Sequence, residues 1–209
     1  LDSGDVTALA TMGDTRWAHT TTPLRDGRLL VVGGANVPTS NQTYPESTLI
    51  EAYDPAANAW TDVGDIEPGR ADQVAALLPD GRVLIAGGVT EIETVALGDS
   101  WIFDPANDSL TQDADMGTPR VRANHQVLPD GRVLVCGGED SEQAAVTGCE
   151  VWTPGTDGPG VWSPMPDPGV AWNARSGSTL ATLPGGEALV FGGLDAEGAY
   201  TTDALVIRP

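Results

Sequence analysis

The chain has 209 residues, 40% of them hydrophobic, and 30 acidic residues stand against ten basic ones, every one of which is Arg. A net charge of −20 sets it against nucleic-acid phosphates and anionic lipid as partners. No apolar run approaches the roughly 18 residues that begin to suggest a bilayer-spanning helix. The 26 Gly and 16 Pro suit an all-β protein rich in turns, and the absence of a leader reads as a mature or excised domain.

In chain order, the first strand (a) is expected over Ala18 to Leu24, followed by a hairpin turn at Asp26-Gly27. Strand b, Arg28 to Val32, is a short continuous apolar run of the kind buried on both faces. Gly33-Gly34 lets the backbone pass close to a neighbour. A variable loop leads to strand c, Thr48 to Tyr53, which stops at Asp54-Pro55, and strand d carries Trp60.

The pattern then recurs. Asp-Gly-Arg, an apolar run and Gly-Gly return at 80–88 and 130–138, with a weaker copy at 185–193. The first Gly of each pair stands at 33, 87, 137 and 192, so the spacings are 54, 50 and 55 residues. Strand c ends at Pro55, Pro105, Pro154 and Pro209, strand d is anchored by Trp60, Leu110 and Trp162, and an Arg precedes strand a at 16, 70, 120 and 175. Periods of this length signal repeat architectures such as propellers.

These residues resemble the kelch repeat, and the resemblance covers essentially the whole chain. It implies a four-bladed β-propeller over residues 1–209, with repeats at about 17–63, 71–113, 121–164 and 176–209. The last repeat has no strand d. Val6 to Ala10 matches the outer strand of a blade in its spacing to Arg16, as Trp60 does to Arg70. The expectation is that residues 5–11 complete the last blade and close the ring within one monomeric chain, the alternative being exchange with a second chain. A ring this small would hold water or a single ion in its channel.

Cys136 ends strand b and Cys149 begins strand c of the third repeat, which places them on adjoining antiparallel strands within reach of a disulfide. Such a bridge implies an exported protein, periplasmic, extracellular or at the cell surface. Two Cys and two His with no finger-like spacing argue against a zinc site.

The resemblance points to Arg16, Arg70, Arg120 and Arg175 as a ring that receives acidic ligands in some kelch domains. The competing reading pairs each with an acidic residue of the adjacent blade or with loop carbonyls. Trp17 and Trp172 flank this Arg in two repeats that closure would make neighbours, and with His19 and Asn173 they complete the ligand-binding candidates. No copper, iron or catalytic-triad pattern stands out. The chain reads as a non-catalytic binding scaffold for a protein, peptide or carbohydrate. It would use the b–c loops (35–48, 89–99, 139–148, 194–202) and the Arg-bearing d–a loops. A sugar-active kelch enzyme (oxidase- or epimerase-like) and a structural module of a larger secreted protein are the alternatives.

Overall fold

The computed structural model of the chain describes residues 6–36, 45–90, 95–156, 158–165, 176–183, 185–195 and 197–208. Strands β1 (Thr20–Pro23), β2 (Leu29–Val32), β3 (Leu49–Asp54) and β4 (Ala59–Asp65) form a first antiparallel sheet in sequence order. Chain order continues with β5 (Val74–Leu77), β6 (Val83–Ala86), the short ribbon of β7 (Val89–Thr90) and β8 (Val95–Ala96), then β9 (Ser100–Asp104) and β10 (Ser109–Gln112). The second sheet runs β5-β6-β9-β10. The third is β11 (Asn124–Val127), β12 (Val133–Cys136), β13 (Cys149–Thr153) and β14 (Val161–Pro164). The fourth has, among the described residues, three strands, β15 (Thr179–Thr182), β16 (Ala188–Phe191) and β17 (Ala204–Ile207). The expected strands a to d are recovered in the first three repeats, each end shifted by no more than a few residues.

The Asp-Gly-Arg turn works as a closed unit. In the first repeat, Asp26 accepts hydrogen bonds from the Arg28 backbone N–H at 3.0 Å and from its Nε at 2.8 Å. Asp80 and Asp130 hold Arg82 and Arg132 in the same way. Gly27, Gly81 and Gly131 supply the positive φ at the tip, between 88° and 96°.

The Gly-Gly pair is a joint. Gly34 N–H donates to the Arg70 carbonyl at 2.7 Å, and Gly88 N–H to the Arg120 carbonyl at 3.0 Å, so each pair ties its own repeat to the next. A Cβ at Gly33 would lie 2.2 Å from the Arg70 carbonyl oxygen, and one at Gly34 2.8 Å from that of Trp17. No side chain fits between these backbones.

Three apolar clusters fill the seams. Leu30, Val32, Ile50 and Ala52 of the first sheet pack on Val83, Ile85 and Phe103 of the second. Leu84 and Ala86 pack in turn on Val133, Val135 and Trp152. Leu134, Cys136 and Val151 pack on Ala188, Val190 and Ile207. Along the inner edge β1 lies beside β5, β5 beside β11 and β11 beside β15, and among the described residues no contact as extensive joins β15 to β1.

The expected closing strand is not formed. Val6 to Ala10 pairs with no strand and is exposed throughout, Val6 at 99%. Ala10 instead sits against the first sheet, its N–H donating to Asn58 and its carbonyl accepting from the Trp60 indole at 2.9 Å.

The Cys136–Cys149 disulfide is present, with Cα atoms 4.1 Å apart at directly opposed positions of β12 and β13.

Candidate functional site

The three described Arg residues that precede strand a are engaged inside their own repeats. Arg16 donates to Glu51 at 2.7 Å and to the carbonyls of Gly33 and Leu49. Arg70 grips both oxygens of Asp99, at 3.0 and 2.7 Å, and Arg120 meets Glu150 at 2.9 Å and the Gly137 carbonyl at 3.0 Å. Their side chains are 0 to 2% exposed. A planar guanidinium suits this task because it satisfies a carboxylate and a backbone carbonyl at once. Burial lowers the Arg120 pKa, and the charge of Glu150 and its hydrogen bond oppose that shift. Arg16, Arg70 and Arg120 are therefore staples that fix strand c to the Gly-Gly joint, not groups open to a ligand. Their carboxylate partners come from the same repeat and not from the adjacent blade, while backbone carbonyls, the other partners that reading named, accept from all three. Trp172, Asn173 and Arg175 lie outside the described residues.

What these staples support is a rim. Two residues after each Arg the backbone is left-handed, with φ of 55° at Ala18, 55° at Asp72, 53° at Arg122 and 62° at Gly177. Three of the four are not glycine, a conformation that costs energy and persists only where the surroundings impose it. Here the imposed contact is visible. Asp72 N–H donates to the Ala18 carbonyl at 2.9 Å and Arg122 N–H to the Asp72 carbonyl at 3.0 Å, handing the chain from sheet to sheet.

Side chains on this rim form a polar seam. Arg122 lies 3.1 Å from Asp72 on one side and 3.1 Å from Glu139 on the other, and Ser176 donates to the far oxygen of Glu139. Unlike the three stapling Arg residues, Arg122 keeps 37% of its side chain exposed. Trp17 is half exposed, and its backbone is locked by reciprocal hydrogen bonds with Ala35 at 3.0 and 2.8 Å. His19, two residues on, has its pKa lowered by burial and by the charge of Arg16, and its Nδ1 has no hydrogen-bond partner. His125 on β11 is solvent-accessible yet walled by neighbouring strands, which lowers its pKa against a hydrogen bond with the backbone at Ala75.

Sequence reasoning singled out Trp17 and His19 but missed Asp72, Arg122, Glu139 and Ser176. The available signal was a second Arg beside the repeat Arg in the third repeat, together with Gly177 at the matching position of the fourth. Among the described residues, no three His, Cys, Asp or Glu side chains come together in a metal-holding group. Two shallow depressions, of about 250 and 230 Å³, lie at the opposite end, around the Asp-Gly turns and the prolines that end strand c. They occupy equivalent places between successive repeats and mark the seam geometry.

No family model matches the sequence, and no curated protein matches it. Among solved structures, one described as "Structure of YjhT" is similar, with a TM-score of 0.66 at 14% identity, over 96% of this chain and 84% of that one. At that identity the likeness carries the fold alone.

Proposed function

We propose that the four sheets are successive blades of a kelch-type β-propeller, and that the chain is a binding scaffold that takes a protein or peptide on the rim bearing Trp17, Asp72, Arg122 and Glu139. The observation that carries this reading is Trp17. A large aromatic face stays half exposed on a backbone pinned at both its N–H and its carbonyl. Such an anchor loses little freedom when a partner covers it. The carboxylates Glu51, Asp99 and Glu150 are consumed by buried Arg side chains, which favours binding over acid–base chemistry. The net charge of −20 steers cationic partners toward the surface, and an Arg or Lys of the partner would suit the indole face. The Cys136–Cys149 bridge supports an oxidising, exported location.

The test is a tryptophan-fluorescence titration with Arg-rich peptides and with neutral oligosaccharides. Peptide binding should weaken steeply with salt and fall at least tenfold in Trp17→Ala, whose melting temperature should stay that of the wild type. Saturable binding of a saccharide with no response to peptide would transfer the reading to carbohydrate recognition. Chemical conversion of a sugar would replace it with an enzyme.

A further inference from the structure

The turn that joins β9 to β10, residues 105–108, lies at the end of the molecule away from the rim, beside the Asp-Gly turns. Its shape is fixed locally. Asp104 accepts from the Ala106 N–H at 2.9 Å, the Asn107 side-chain oxygen accepts from the Ser109 N–H at 3.3 Å, and Asp108 stands left-handed at a φ of 51°. It is also clamped across the seam, where Arg28 reaches the Asp108 carboxylate at 2.9 Å and the Pro105 carbonyl at 2.9 Å. Asn107 is exposed on this clamped turn. Its Oδ1 is turned back onto the backbone, and its Nδ2 is engaged by no described residue.

The first repeat builds the same turn without these side chains. Between β3 and β4 it spans residues 55–58, Asp54 accepts from the Ala56 N–H at 2.8 Å, and Asn58 takes the left-handed place at 49°. Ala57 and Ala59 stand where the second repeat has Asn107 and Ser109. The turn therefore needs neither the amide nor the hydroxyl, and packing does not account for them. Together Asn107-Asp108-Ser109 forms an Asn-x-Ser tripeptide, the acceptor sequence for asparagine-linked glycans, which belongs on a surface loop of an exported chain. The exposed turn and the Cys136–Cys149 bridge meet those two conditions separately. A second such tripeptide, Asn41-Gln42-Thr43, lies outside the described residues.

We propose that Asn107 is a glycosylation site, an inference that rests on the exported location put forward above. The donor is an oligosaccharide carried through a phosphate ester on a lipid. The bond from the sugar's anomeric carbon to the phosphate oxygen breaks, and the phosphorylated lipid leaves with the bonding pair. Asn107 Nδ2 takes the anomeric carbon and gives up one proton to a base of the transferase. The free Nδ2 on an exposed turn is the atom this transfer requires. Its place also matters. A glycan here stands beside the seam between the first and second repeats, at the far end from Trp17, Asp72 and Arg122, so it leaves the rim open to a partner.

The test is mass spectrometry, intact and by peptide, on protein purified from the cells that make it, with thiol titration of the same sample. The expected result is a mass above that of the sequence, lost on enzymatic release of asparagine-linked glycans, with the glycan mapped to the peptide that holds Asn107. Asn107→Gln and Ser109→Ala should each abolish that modification, and Ser109→Thr should keep it. A merely structural role for these side chains would not separate the two Ser109 variants. All three should retain wild-type circular dichroism and wild-type binding at the rim. Unmodified Asn107 in protein whose Cys136–Cys149 bridge is oxidised overturns the site and leaves the exported reading standing. Free thiols at both cysteines with Asn107 unmodified overturn the exported reading and the site with it. A glycan at Asn41 alone overturns Asn107 as the acceptor.

Discussion

The third and fourth sheets descend from the same sequence pattern and differ in almost every contact that holds them. The third has four strands, the Arg120–Glu150 staple, a disulfide and covered faces. The fourth has three strands among the described residues, Leu205 at the register of Glu150, and Phe191 opposite Ala204 where the third has its cysteines. Its outer face carries Leu189, half-buried, and Phe191 and Val206, both exposed, with no further sheet against it among the described residues. The lesson is that the repeat motif specifies the strands and their register. Stability comes from what lies on either side, because a lone sheet cannot bury its own apolar face.

The largest test of that contrast is the staple. Glu150→Ala leaves the buried Arg120 charge uncompensated and should cost about 3–5 kcal/mol in urea unfolding. Leu205→Ala, at the same register in the fourth sheet, removes only half-buried surface and should cost under about 2 kcal/mol. Equal losses would show the two sheets to be equally dependent on their interiors.

Next is the bridge. Reducing Cys136–Cys149, which closes a separation of 13 residues, should lower stability by roughly 3 kcal/mol in the chain-entropy view. The converse experiment installs the same bridge in the weaker sheet. Phe191→Cys with Ala204→Cys occupies the matching register pair and should raise the melting temperature under oxidising conditions by a few degrees, with loss of the gain on adding reductant. No gain would show that the register is not held well enough in the fourth sheet to bring the sulfurs together.

A smaller contrast lies in the b strands. Leu134→Ala at a fully buried site should cost about 2–5 kcal/mol, and Leu189→Ala at the equivalent half-buried site clearly less.

The smallest effect is pH. His125 in the third sheet has its pKa lowered in the folded state, chiefly by its enclosure. The unfolded chain therefore takes up the proton first. The His125 contribution is full above the ordinary histidine range and declines as pH falls through that range toward the lowered native value. His125→Gln should flatten this part of the stability profile, and the wild-type imidazole should titrate below the ordinary histidine value by NMR. An unshifted titration would remove the enclosure argument.

Much of the fold is legible in particular residues. Asp26-Gly27-Arg28 and its copies place the turns, because the carboxylate, the positive φ and the Arg are all local requirements. The disulfide is legible because Cys136 and Cys149 flank one b–c loop, so the strand register alone sets them opposite each other. The Arg staples are half legible. An Arg repeats before strand a, but in the first and third repeats its partner lies in strand c, while in the second Trp101 takes that register and Asp99, two residues earlier, supplies the carboxylate. The Trp101 indole then donates to that same Asp99, a rearrangement that no spacing rule anticipates.

The sequence by itself determined the all-β class, the repeat period, the turns and the facing cysteines, because each depends on contacts within one repeat. Only the tertiary structure decided which Arg is accessible, what the left-handed residues at Ala18, Asp72 and Arg122 connect, and where Val6 to Ala10 goes. Those outcomes depend on how one sheet is rotated against the next. That rotation accumulates over three seams, and the spacing of residues along a chain carries no measure of it.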